Sequence, residues 1–420
     1  MADVLNFKCP CCGAPLVFKG ETEKLTCDYC ENSYTIEQVK EAEAAEAQSA
    51  AASDMTWVST APAEIRDESG KLTGYSCPSC GAEIVASENT AATECPYCGN
   101  KAIIPTAFEG MYKPDCMIPF KLDKSKAEEA LKAFYKGKLL LPKEFTSGNR
   151  VKEIKGLYVP FWLFDCEAEG SVTYNAVKEK TWKQGNTEYK KKDTYLVSRA
   201  GTMDFEKIPV DGSKQMDDAY MDAIEPFDYS AAVEYDSAYF SGYLAEKYDV
   251  DSKEAEPRVN ERVTHSVKQV FRDSVSGYSS VDEKNASINI KDGKIQYAMM
   301  PVWMLTTKYN NENYTFAMNG QTGKLVGKLP TSTGKAVLSF LIVAVVTFLL
   351  SMAILGDPII SVIAALIVAG IVLWIMKSSM NTAVKQQNAQ EYLIKSSVHL
   401  STKRDTFLYS KTETRKVEQN

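Results

Sequence analysis

The chain has 420 residues, 45% of them apolar and 25% charged, with a formal net charge of -7 and a pI near 5.3. This composition excludes a disordered chain, and the length suggests about two to four folded domains. The acidic balance argues against a non-specific nucleic-acid binder: up to Pro105 only seven Lys or Arg stand against 16 Asp or Glu, so phosphates are repelled from that part.

No apolar leader follows Met1, so the N-terminus is expected in the reducing cytosol, where Cys-x-x-Cys pairs read as metal ligands before disulfides. Cys9, Cys12, Cys27 and Cys30 form C-x2-C-x14-C-x2-C, and Cys77, Cys80, Cys95 and Cys98 repeat it 68 residues later. Pro10 and Pro78, Gly13 and Gly81, Ala14 and Ala82, and Tyr29 and Tyr97 repeat in register. Four thiolates from two such turns make a closed tetrahedral Zn2+ shell, and the Gly after the second Cys admits a positive φ. Short strands around a polar turn complete a zinc ribbon at 1–38 and another at 57–106. A closed four-Cys shell leaves no position for a catalytic water, so both ions read as structural; a dithiol redox pair and a catalytic zinc are the competing readings. So small a ribbon draws much of its folding free energy from the metal. Cys11 faces Ser79 in the repeat and reads as a spare thiol. The Ala- and Glu-rich stretch at 39–56 lacks an apolar stripe and reads as an exposed helical or flexible linker, leaving the ribbons tethered and not fused.

A connecting segment at 107–150 contains one short amphipathic helix, Ser125 to Gly137, with a capping box in Ser125 and Glu128. An α+β domain is expected at 151–330. In it LYVPFWLFD (Leu157 to Asp165) is echoed by AMMPVWMLT (Ala298 to Thr306), aligning Pro160 with Pro301 and Trp162 with Trp303. Each echo reads as two strands joined by a polar turn, EAEG or NNEN. The tryptophans read as sheet core, with a Trp-lined groove as the other possibility. DAYMDAI, the stretch from Tyr229 to Val250 and the stretch from Ser252 to Val275 read as helices, and SINIKDGKIQY as a hairpin turning at Asp292-Gly293.

No catalytic constellation is legible here. The two histidines, His265 and His399, have no readable partner, Gly334-Lys335 lacks the rest of a phosphate-binding loop, and Asp217-Asp218 reads as a solvated helix face. The chain reads as non-enzymatic, with no small-molecule substrate; an enzyme with an unrecognised acidic site is a further alternative. Cys116 and Cys166 receive no role.

Ala336 to Gly356 and Ile359 to Met376 carry no charge, and only Asp357 and Pro358 separate them, which predicts a transmembrane helical hairpin at 334–377. Lys328 and Lys335 precede it and Lys377 and Lys385 follow it, which places both flanks, and so both termini, in the cytoplasm. With no ionisable group inside either span, it reads as an anchor in the cell membrane. The tail at 378–420 holds seven Lys or Arg against four Asp or Glu and suggests one or two strands, paired with their own domain or a partner, or set on anionic lipid.

The ordered set FKCPCCG, SCPSCGAEI, CPYCGNKAIIP, IKGLYVPFWLFD and MPVWML, followed by a membrane hairpin, resembles a family of Firmicutes membrane proteins labelled TFIIB-type zinc ribbon-containing, over nearly the full chain. The resemblance implies zinc ligands at Cys9, Cys12, Cys27, Cys30, Cys77, Cys80, Cys95 and Cys98, with Cys11 as a departure. It also implies association with SPFH-type scaffold proteins and phage-shock-like envelope-stress proteins. Helicase labels used for some such proteins rest on the ribbons alone, and no motor motif is present here. The fold class expected is multidomain: two small β zinc ribbons, an α+β cytoplasmic domain and a two-helix membrane hairpin with a short β-like tail. The function expected is a membrane-anchored cytoplasmic adaptor that binds protein through its ribbons. The alternative is a membrane-tethered nucleic-acid-binding protein, which the acidic ribbons disfavour.

Overall fold

The structure, a computed structural model, describes residues 7–59, 64–65, 72–87, 94–100, 104–106, 111–146, 154–310, 312–383 and 385–416. The first cysteine module is a small antiparallel sheet of β1 (Val17–Lys19), β2 (Lys24–Thr26) and β3 (Ser33–Tyr34), with β2 in the middle. Leu16, Leu25, Tyr34 and Val39 close around Cys9 and Cys27 as its core. Helix α1 (Ile36–Ala50) follows at once. Thr35 accepts from the Gln38 N–H, and the Gln38 side chain accepts from the Thr35 N–H, which completes a capping box.

The exposed linker expected at 39–56 is therefore mostly helix, and that helix is docked. Ala42 packs on Leu196 and Leu408, Ser49 Oγ lies 3.1 Å from Thr173 Oγ1, and Glu41 pairs with Arg404 at 3.2 Å. Small side chains on this face let the helix lie close to the sheet, so burial here needs no apolar stripe.

Beyond it run β4 (Val58–Ser59), β5 (Glu64–Ile65), β6 (Leu72–Ser76), β7 (Glu83–Ser87), β8 (Ile104–Thr106), β9 (Met111–Tyr112) and β10 (Cys116–Met117). Of these, β6, β7 and β8 carry the second cysteine module and belong to the large sheet of the body. The remaining elements are α2 (Lys124–Tyr135), α3 (Lys143–Thr146), β11 (Lys155–Gln184), β12 (Thr187–Asp211), α4 (Asp218–Ala223), β13 (Leu244–Glu246), α5 (Ser252–Asp273), β14 (Ser280–Tyr309), β15 (Glu312–Asn319), β16 (Leu325–Gly327), α6 (Thr333–Leu355), α7 (Pro358–Ser378) and β17 (His399–Lys416). Asp123, accepting from the Lys126 N–H at 2.9 Å, caps α2 in place of the Ser125–Glu128 box, so the helix starts two positions earlier than that box would set.

Four long strands, ordered β17-β12-β11-β14, form the body, and β14 continues through β15 to β16. The other edge of β11 also meets β13 in parallel, and β13 pairs β7. The two echoed segments are neighbours: Tyr158 faces Pro301 and Pro160 faces Met299 across β11 and β14. NNEN spans the junction of β14 and β15, with Asn311 outside the described residues, but EAEG is no turn, since Glu169 pairs with Thr202 on one side and Asn289 on the other. Asp292-Gly293 is likewise not a hairpin turn. β11 pairs straight past it, and the register slip between Asp165/Lys294 and Glu167/Lys291 makes it a bulge with Asp292 at φ 51°. The stretch from Tyr229 to Val250 holds two 3-10 turns and β13, where a helix was expected.

Helix α5 supplies the main core. Val259, Val263, Val267 and Phe271 recur every fourth residue and are fully buried against the sheet. Gly170 permits their approach, since a Cβ there would sit 2.7 Å from Val267 Cγ1 and 2.8 Å from Phe271. The tail is settled by pairing: β17 runs antiparallel to β12 from His399 to Lys416. Helices α6 and α7 are long and apolar enough to cross a membrane. They turn at Gly356 (φ 68°), Asp357 caps α7, and Leu341, Leu349, Ile363 and Ile367 are each more than half exposed.

Candidate metal centres

Each cysteine quartet comes together in space. Within each set the four Sγ atoms lie within 4.8 Å of one another. Cys9–Cys30, Cys12–Cys27, Cys77–Cys98 and Cys80–Cys95 are each 3.6 Å apart. A disulfide is about 2.05 Å long, whereas four thiolates about 2.3 Å from a tetrahedral ion stand about 3.8 Å apart. The separations fit a metal cage, and the donors are all sulfur, which suits a soft or borderline cation.

The knuckle turns explain how adjacent sequence positions converge. The Gly13 N–H donates to Cys9 O at 2.8 Å and the Gly81 N–H to Cys77 O at 2.8 Å, with both glycines at positive φ (73° and 77°). The second knuckles close alike: Glu31 N–H to Cys27 O at 2.9 Å and Gly99 N–H to Cys95 O at 3.0 Å. In the first centre the Asn32 side chain also donates to Cys30 Sγ at 3.2 Å.

The two centres differ in what surrounds them. Cys77 and Cys95 share a core cluster with Leu157, Leu244 and Met304 of the body. Strand β13 gives β7 the antiparallel neighbour that β2 gives β1: Leu244 faces Ala86 as Leu25 faces Phe18, and Ala245 faces Val85 as Thr26 faces Val17. A strand of the body thus joins the sheet of the second module. Tyr97 is 7% exposed and donates its hydroxyl to buried Glu246, which also accepts from Ser213 Oγ at 2.8 Å. Burial pushes the Glu246 carboxyl up to about 8, against the lowering effect of those two donors. Tyr29, the counterpart of Tyr97, is 80% exposed, and Val17 and Phe18 are about half exposed.

Cys11 lies outside the first quartet, in a cleft of 410 Å³ between the knuckle and α1 that Cys12, Glu43 and Lys284 also line. Burial pushes its thiol up to about 11. Cys116 is half-buried, Cys166 is buried, and neither joins a quartet.

The tryptophans are core, not a groove. Trp162 donates to Val250 O and Trp303 to Leu122 O, each at 2.9 Å, and both are 4% exposed. His265 and His399 are exposed on α5 and at the start of β17. Asp217 caps α4 and Asp218 pairs with Arg258 at 3.0 Å.

A buried ionic cluster was not legible in the sequence. Arg258 bridges Asp211 and Asp222, both at 2.9 Å, and Arg262 pairs with Glu225 at 2.7 Å. It clamps the strap that follows α7: Tyr392 donates to Glu225 at 2.7 Å, the Gln386 N–H to Asp222 at 3.0 Å, and Arg262 to Asn388 O at 3.3 Å. Its members come from segments far apart in the chain, so no local pattern announces them. Every carboxylate in it faces an arginine, which is an arrangement for holding the strap.

No family model and no solved structure matches the chain. It is 35% identical over 346 residues to the protein called Uncharacterized protein YdjG of Bacillus subtilis (strain 168), an alignment covering 82% of this chain and 96% of that one. At that identity, along almost the whole of that relative, the chain belongs to the YdjG family.

Proposed function

We propose that the protein is a membrane-anchored cytoplasmic adaptor whose first cysteine module, a zinc ribbon, is the surface offered to a protein partner. One observation carries this reading: of two modules with the same cysteine register, one is spent on the body and the other is displayed, with Tyr29 80% exposed where Tyr97 is 7% exposed. A module needed only for stability has no reason to leave its aromatic knuckle in water. Zn2+ suits both cages, being four-coordinate with thiolates and redox-inert in a reducing compartment. Helices α6 and α7 serve as the anchor, with lysines on both flanks and a single acid in the turn holding those flanks in the cytoplasm. No role in catalysis is proposed for either centre, since a closed shell offers no coordination position. SPFH-type and envelope-stress proteins, implied by the sequence resemblance, are the first partners to test.

The test is photocrosslinking from position 29 in intact membranes. We expect an intermolecular protein adduct from position 29 that disappears in the Cys9→Ser background, where the first module loses its metal. Adducts that persist unchanged in that background, or their absence from the wild-type register, overturn the reading.

A further inference from the structure

The four-stranded body narrows at one end. Strand β14 begins at Ser280, opposite Val177, so from Lys178 outward the sheet consists only of β11, β12 and β17. Residues 178–186 are exposed and 187–193 half-buried. This finger joins two stretches that are remote in sequence, the β11–β12 turn and the C-terminal strand. Together, residues 178–193 and 411–415 hold eight Lys or Arg against four Asp or Glu, a net of +4 in a chain whose total is -7. The acidic composition of the chain conceals this patch, and the fold assembles it.

The pairing register makes the patch unusual. Lys180 stands directly opposite Lys191, and Lys192 directly opposite Lys411. Like charges placed across adjacent strands oppose sheet formation, and a bound polyanion removes that opposition. The acids compensate in part: Glu179 pairs with Lys190, Asp193 with Lys191, and Glu413 with Lys192 and Lys411. Among the described residues Lys180, Lys183 and Arg415 have no ion pair. On the face that carries Lys180 and Lys191, the next cross-strand pair is Trp182 and Tyr189, stacked at 5.3 Å and 8°, with Thr412 and Thr414 beside them on β17.

We propose that this finger binds single-stranded nucleic acid, its lysines taking the phosphates and the Trp182–Tyr189 pair offering a stacking surface to bases. Cations beside a stacked aromatic pair, with hydroxyls alongside, are the elements of a sequence-tolerant single-strand site. A protein partner fits less well, because apart from the aromatic pair the exposed side chains are Lys, Arg, Glu, Thr, Gln and Asn, with no apolar anchors. The bilayer that α6 enters is remote: Ile154, beside the start of β11, packs in one cluster with Ala336 of α6, and about 23 residues of extended strand, roughly 75 Å, separate that point from the finger. The proposal does not depend on the adaptor reading, and it places nucleic-acid binding away from the acidic cysteine modules.

The test uses the full-length zinc-loaded protein in nanodiscs of neutral phosphatidylcholine, with a fluorescein-labelled oligouridylate of about 20 nucleotides read by anisotropy. Saturable binding is expected, weakening about tenfold or more between about 50 mM and about 200 mM NaCl. The key variant is Lys180→Glu, which turns a like-charge pair with Lys191 into an opposite-charge pair and therefore leaves the finger folded. It should weaken binding and shrink the salt slope by about one. Trp182→Ala should weaken binding several-fold without changing that slope. No binding at low salt, affinity unchanged in Lys180→Glu, or equal competition by polyglutamate or by anionic phosphatidylglycerol vesicles overturns the proposal.

Discussion

Tyr29 and Tyr97 hold the same place in the repeat, yet one lies in water and the other on Glu246. The difference is made by a residue almost 150 positions away in the chain, which is why the equivalence was legible and its breaking was not. Glu246 also sets a pH dependence. Its folded value, about 8, lies above its unfolded one, so between roughly pH 4.5 and 8 the folded state holds more of this proton than the unfolded state does, and its contribution to stability falls as pH rises. We expect the melting temperature to fall from pH 6 to pH 8 more steeply in the wild type than in Glu246→Gln, measured by thermal unfolding of the metal-loaded protein. An identical pH response in the two proteins contradicts the assignment. The cysteine quartets, by contrast, needed no tertiary information, because their spacing alone specifies two knuckles and a cage.

Long elements with a strong local pattern were read correctly, and elements defined by their neighbours were not. The four-residue recurrence of Val259, Val263, Val267 and Phe271 announces α5, and the uncharged runs announce α6 and α7. Polar residues at 167–170 and Asp292-Gly293 suggested turns, but turn propensity yields when both edges of the segment are already paired, as β11 and β14 are. For α1 the helical alternative holds but the expected exposure does not: its buried face is Ala and Ser, residues that carry little hydrophobic signal but allow close packing. Ala42→Glu places a carboxylate against Leu196 and Leu408. It should detach α1 at a cost of about 1–3 kcal/mol, seen as new protease sensitivity in residues 36–50 while the body stays intact. Cleavage no faster than in the wild type refutes this account of the docking.

At the level of the molecule, the two metal centres should have unequal consequences. The first is a self-contained module, whereas the second shares a core with the body and a strand, β13, that also lies along β11. Structural zinc supplies on the order of 10 kcal/mol of local folding free energy. Elemental analysis should find two zinc ions per chain, falling to one in Cys9→Ser and one in Cys77→Ser. Thermal unfolding of the body should stay unchanged in Cys9→Ser and shift several degrees downward in Cys77→Ser. Equal shifts in the two variants would show that the modules are energetically alike.

The pairing of β17 with β12 also constrains the order of assembly. Strand β12 is made before α6, and β17 after α7. On the proposed insertion, the last strand can reach its neighbour only if the chain has crossed the bilayer and returned, so β17 reports that both crossings were completed. A chain that crossed once would carry β17 to the opposite side and leave β12 open from Thr187 to Thr202, an edge about 50 Å long and a template for aggregation. On that insertion, completion of the sheet requires that both crossings have been made.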